Sequence, residues 1–183
     1  MSQTPKRSNG GILMLILKFA VFAPIITALW WTCLPLYGAL LGKLCGVIAW
    51  ALLSVPIESS TLDAKGWFNV DSTLNFKVNG HEPAMPIALL VTNVAPYVAL
   101  VLATSGITLR RRLRILAIGI GILVAGHIAF ICVLLGFQEQ LIKVQELPTA
   151  IAQFYLTLPF LLWIVLAYWQ RILGYIGESG KRR

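Results

Sequence analysis

The sequence predicts an all-α integral membrane protein: four transmembrane helices, an interfacial or re-entrant helix, and a small extracytoplasmic β segment. Three observations carry that expectation. Of 183 residues, 58% are hydrophobic and 12% charged, against about 45–50% and about 25% in soluble domains. The apolar residues fall in runs of about 20, the length that crosses a hydrocarbon core. The basic residues, which give a net charge of +8, gather at the ends of those runs, as the positive-inside rule requires. Clustering of that kind is not a phosphate-binding face, so nucleic acid is not an expected partner. The whole chain, 1–183, reads as one membrane domain.

Residues 1–11 are polar and carry Lys6 and Arg7, which places them in a short cytoplasmic tail. The first span is expected at 12–37. Its apolar run is longer than the roughly 7–15 residues of a signal h-region, so it reads as an uncleaved anchor. Lys18 snorkels near its start, Pro24 allows a kink, and Pro35 allows a break. Trp30, Trp31 and Tyr37 form an aromatic group where the span leaves the bilayer.

Residues 38–55 are apolar except for Lys43, and the count of spans turns on them. If they cross, the block Arg110-Arg111-Arg112-Leu113-Arg114 falls outside. If they do not, Lys6, Arg7, the arginine block, Arg171 and Lys181 to Arg183 all lie inside. The second arrangement satisfies the positive-inside rule at its strongest signal. Residues 38–55 therefore read as a helix in the outer interface or re-entering the bundle, and both termini as cytoplasmic.

Pro56 closes that helix. In the polar stretch 58–82, Phe68, Val70, Leu74, Phe76 and Val78 occupy even positions, and Asn69, Asp71, Thr73, Asn75, Lys77 and Asn79 occupy odd ones. A period of two marks a strand, or a hairpin bent near Asp71 and Ser72, with one apolar face laid on something. Turn residues stand at Asp63 to Gly66 and at Asn79-Gly80. An isolated hairpin is marginal in water, so the apolar face needs a support.

Three further spans are expected at 87–108, 115–137 and 150–170. The second holds Asn93 and a mid-region Pro96. The fourth holds Gln153 and Thr157, four residues apart on one face. His127 is the ionisable residue deep in the third span, and a buried intramembrane histidine is a functional candidate because placing it there costs free energy. A polar core of Asn93, His127, Gln153 and Thr157 would satisfy it. Cys132 is five residues on, about 140° around the axis, so a Cys/His pair does not form. Gly38, Gly42 and Gly46 in one helix, and Ala117, Gly121 and Ala125 in another, recur at four-residue spacing. Small residues in that pattern allow close helix packing, against the bundle or against a partner. Arg110, Arg111, Arg112 and Arg114 are expected to contact anionic lipid, each worth about 1 kcal/mol near the surface.

No carboxylate falls in an expected span, and no phosphate loop, HExxH or GxSxG occurs. Catalytic residues, metal ligands and cofactors are therefore not expected. The three cysteines are isolated and form no ligand pattern.

Several strings resemble the small membrane proteins encoded beside bacterial exosortases, in particular the exosortase H-associated membrane proteins. They are Phe22-Ala23-Pro24 through Leu29-Trp30-Trp31, Asn93-Val94-Ala95-Pro96-Tyr97, and the run from Gln153 to Trp163. The resemblance implies a bacterial inner-membrane accessory to a protein-sorting transpeptidase, with an exosortase-like membrane protein as partner. The Cys/Arg/His site of the exosortases themselves has no counterpart here. From the residues alone, the leading expectation is a non-enzymatic accessory acting through protein contacts. The competing one is a small transporter or intramembrane enzyme built on His127.

Overall fold

In the computed structural model the described residues are 10–54, 56–65, 71–78, 80, 82–86, 92–136, 153–154 and 156–169. They form a helix α1 (Gly10–Leu53), three strands β1 (Ile57–Asp63), β2 (Thr73–Val78) and β3 (Ala84–Pro86), and helices α2 (Val94–Ala103) and α3 (Leu109–Gly136). A short apolar helix, α4 (Leu156–Trp169), follows. The fold is mostly helical with one small sheet. Two of its helices, α1 and α3, are long and apolar enough to cross a membrane.

The expected break at Pro35 does not occur. α1 runs 44 residues without interruption through both Pro24 and Pro35, so residues 38–53 are its upper part and not a separate interfacial helix. Each proline removes one backbone donor. A break would strip several groups of their partners, whereas the buried stripe Leu34, Gly38, Leu41, Gly42, Cys45 and Ala49 keeps its helical spacing across Pro35. Ser54, at φ 53°, ends the helix in the left-handed conformation common just past a helix C-terminus.

The stripe on α1 is the seat of the sheet. β2 is the central strand and pairs antiparallel with β1 (Ile57↔Val78 through Asp63↔Thr73) and with β3 (Thr73↔Pro86). The alternation read from the sequence holds in β2: Leu74 and Phe76 are buried while Lys77 is exposed. Ser72, the polar residue on the apolar side of that alternation, is buried as well. Leu74, Phe76 and Met85 join Leu34, Leu41, Cys45, Ile131 and Leu135 in one core, which fixes the sheet to the upper half of α1 and the end of α3. Gly42 faces β1, and a Cβ there would lie 2.9 Å from Ser60 Oγ. Two ion pairs, Lys65–Asp63 at 2.6 Å and Lys77–Glu58 at 3.6 Å, dress the exposed side. The hydrogen bond that the Lys65 ammonium donates to Asp63 raises its pKa.

The second expected span is shorter in the structure, and the third begins earlier, at Leu109. The helix of the second apolar run is Val94–Ala103, ten residues and about 15 Å, not 87–108. β3 occupies part of the approach, and the chain leaves α2 at Thr104 in an extended conformation with Gly106 at φ 77°. Pro96 lies in the first turn of α2, where no intrahelical donor is lost. The arginine block is not a loop but the first two turns of α3. Residues 66–70, 87–91 and 137–152, His81, Arg171 and the Lys181 to Arg183 cluster lie outside the described residues.

A second core joins Val94, Tyr97 and Val101 of α2 to Ile115 and Leu123 of α3, with Leu158, Leu162, Trp163 and Leu166 of α4 against it. The buried line of α3 is Ile115, Gly119, Leu123, His127, Ile131 and Leu135, a strict four-residue repeat. At Gly119 the Tyr97 ring fills the space that a Cβ would occupy, and its hydroxyl donates to the Ile115 carbonyl at 2.6 Å. Gly121, two residues on, has open space around it. Gly119→Ala should therefore destabilise by about 1–3 kcal/mol through overpacking, while Gly121→Ala is neutral or slightly stabilising by helix propensity. Thermal unfolding of the two variants in one detergent checks the contrast, and equal melting temperatures would refute this packing.

Candidate functional site

Where α1, α2 and α3 meet, three polar side chains form one buried hydrogen-bonded chain. His127 comes from the buried line of α3, Asn93 from the residue that opens α2, and Tyr37 from the inner face of α1. Tyr37 Oη lies 2.7 Å from His127 Nδ1, and His127 Nε2 lies 3.0 Å from Asn93 Oδ1. His127 and Asn93 are 0% and 2% exposed. The Tyr37 ring meets the imidazole edge to face, and Trp30 lies tilted against the same Tyr37 ring at 5.3 Å between ring centroids.

Donor–acceptor complementarity assigns the hydrogens. Asn93 Oδ1 only accepts, so His127 Nε2 carries a hydrogen. On a neutral ring Nδ1 is then an acceptor, and the Tyr37 hydroxyl donates to it. With a neutral ring the chain runs Tyr37 O–H to imidazole to Asn93. Asn93 gives up something to take part: it stands at the N-cap of α2 yet makes no side-chain cap bond, a role worth about 1 kcal/mol to a helix. Asn93 Nδ2 and Trp30 Nε1 are buried donors with no acceptor among the described residues.

The structure brings together Asn93 and His127 from the expected polar core and leaves out the other two. Gln153 and Thr157 are exposed, and Thr157 Oγ1 donates to its own helix at the Phe154 carbonyl, 2.9 Å away. Their four-residue spacing puts them on one face, but that face of α4 points away from the core. Tyr37, expected among the interfacial aromatics, takes the position they were expected to fill. Helical spacing does carry that signal: Tyr37 lies beside Leu34, Gly38 and Leu41 on the buried stripe. Cys132 is a free, buried thiol, as is Cys45 of α1.

The two small-residue rows part company. Gly38 and Gly42 are buried and Gly46 half-buried on α1, with Gly42 against the sheet, whereas Ala117, Gly121 and Ala125 are exposed on α3. The arginines divide likewise. Arg111 Nη2 donates to the Ala167 carbonyl of α4 at 3.3 Å, and Arg112 Nη2 to the Thr104 carbonyl that ends α2 at 2.8 Å. Arg110 and Arg114 project outward. Among the described residues no group of three His, Cys, Asp or Glu side chains is placed to hold a metal ion. No protein-family model matches the chain, and neither does any curated protein or solved structure.

If the chain ties three helices together, its members should rank by the number of partners lost. Tyr37→Phe removes one bond and costs about 1 kcal/mol. His127→Ala orphans groups on two helices and costs roughly 2–4 kcal/mol. Unfolding midpoints of both variants measure this order, and a silent His127→Ala would contradict it.

Proposed function

We propose that the protein is a multispan membrane accessory protein that works by contact with a second membrane protein and carries out no reaction of its own. The observation that carries this reading is the length of the apolar surface on α1. Large exposed apolar side chains run from Ile12 to Trp50, and the last of them, Val47 and Trp50, are 67% and 68% exposed. Thirty-eight helical steps amount to about 57 Å. A hydrocarbon core covers about 30 Å of that, and even a 40° tilt, the upper end of the usual range, raises the covered length to about 39 Å. Roughly 18 Å of apolar helix is left over. Contiguous exposed apolar surface outside lipid marks a contact with protein, and the sheet fixed beside it adds polar groups for recognition.

The topology that goes with this reading is four spans in a bacterial inner membrane, with the arginine end and both termini cytoplasmic and the sheet outside. Lys18 beside the arginine turn and Lys43 further up α1 are about 37 Å apart, a separation that suits one lysine at each headgroup layer. The absence of carboxylates from the described helices favours a scaffold over a catalyst. The sequence resemblance makes an exosortase-type transpeptidase the partner to test first.

A photo-reactive residue at Val47 or Trp50, activated in intact membranes, should give one discrete protein adduct. The same residue at Ile122 on α3 should give lipid adducts. Lipid adducts at all three positions, or an adduct only with a second copy of this chain, would refute the accessory reading. The competing reading, a small transporter or intramembrane enzyme, is favoured by the Asn93 amide beside His127, whose Nδ2 has no acceptor among the described residues. It requires His127→Gln to abolish cellular function at unchanged levels of folded protein.

A further inference from the structure

At the arginine end, two cations from distant parts of the chain reach the same turn. Lys18 Nζ on α1 donates to Ser105 Oγ at 2.9 Å, and Arg112 on α3 holds the carbonyl of the adjacent Thr104. The Nε–H of Arg112 is buried and has no acceptor among the described residues. Lys18 has three ammonium hydrogens, and the contact with Ser105 uses one. Among the described residues no carboxylate is at hand. The sequence has no Asp or Glu before Glu58 and none between Glu82 and Glu139, and both ion pairs among the described residues lie in the sheet. Two partly buried cations that converge with no anion among the described residues repel each other, and an anion bound between them reverses the sign of that interaction.

The surroundings select the kind of anion. Val21, Ile25 and Leu29 continue the Lys18 line along α1 at i+3, i+7 and i+11, and all three are exposed. An occupant whose charged end sits at Lys18 therefore has an apolar track leading away from it. A free phosphate leaves that track bare, whereas a molecule with a phosphate head and hydrocarbon tails covers both parts.

We propose that Lys18, Ser105 and Arg112 form a binding site for the phosphate of an anionic phospholipid, whose acyl chain lies along Val21, Ile25 and Leu29. The proposal rests on the membrane reading given above. The Lys18 ammonium and Arg112 Nε–H donate to phosphate oxygens, and the Ser105 hydroxyl accepts from Lys18 while turning its own hydrogen to the phosphate. Charge-assisted bonds of this type are the stronger class. This is a built corner, distinct from the general attraction of Arg110 and Arg114 for a negative surface.

The test uses the full-length protein purified in mild detergent, with bound lipid counted by native mass spectrometry. Phosphatidylglycerol and phosphatidylcholine of identical chains compete for it. The wild type should prefer phosphatidylglycerol about tenfold or more. Lys18→Gln should bring the preference to near parity, Arg114→Gln, with the same change in charge, should keep it, and Lys18→Arg should restore most of it. Equal loss in Lys18→Gln and Arg114→Gln would show a diffuse field and overturn the site, as would a wild type without preference. Displacement of the lipid by millimolar inorganic phosphate would overturn the lipid as occupant. Release of the protein from vesicles by alkaline carbonate would instead refute the membrane reading, a result separate from lost preference in a protein that stays embedded.

Discussion

Forty-four helical residues at 1.5 Å each make α1 about 66 Å long, more than twice the depth of a bilayer's hydrocarbon core. The remaining described elements are fitted to that rod. Its buried stripe carries the sheet over the upper half through Leu41, Gly42 and Cys45. Tyr37, near the middle, ties it to α2 and α3 through His127, and Lys18 ties its lower part to the turn at Ser105. A helix that stopped at Pro35 would lose the seat of the sheet and keep only the lower attachments. Continuity across the prolines is therefore what lets the sheet and the other helices share one frame.

The arginine block shows how a locally unfavourable choice serves the assembly. The first turn of a helix carries a partial positive charge, so four arginines in the opening turns of α3 oppose its dipole. Arg111 and Arg112 relieve this by reaching the carbonyl ends of α4 and α2, where the partial charge is negative. Thr104 is the node of that arrangement. Its hydroxyl donates to Leu100 and accepts from Trp163 Nε1, and its carbonyl accepts from Arg112. Three helix ends are thereby bonded side by side at one level, which leaves Arg110 and Arg114 to the surroundings.

How much of this was legible in the sequence depends on whether the signal was local. Hydropathy marks both long apolar helices because it sums over one segment, and the period-two pattern marks β2 because alternation is set by the pleat. β1 and β3 lack alternation. Ile57–Asp63 is a strand because β2 pairs with it, and Ala84–Pro86 is three residues held at an edge. The helix through Pro35 depends on support from the sheet, which residue propensity does not contain. The same holds for the polar residues. His127 lies on a visible four-residue ridge, yet whether Tyr37 or Gln153 answers it is decided by helix placement. Gly42 and Gly121 look alike as members of small-residue rows, and only packing separates a buried seam from an open one.

The rod-like continuity of α1 is the claim on which the partner argument and the lipid site both stand. Pulsed electron–electron resonance between spin labels at Leu13 and Val47, in lipid nanodiscs, measures it directly. A continuous helix puts those backbone positions about 51 Å apart. A break at Pro35 that lays the following residues along the membrane surface brings them to about 38 Å. A distribution centred near the longer distance is the expected result, and one centred near the shorter would contradict the account.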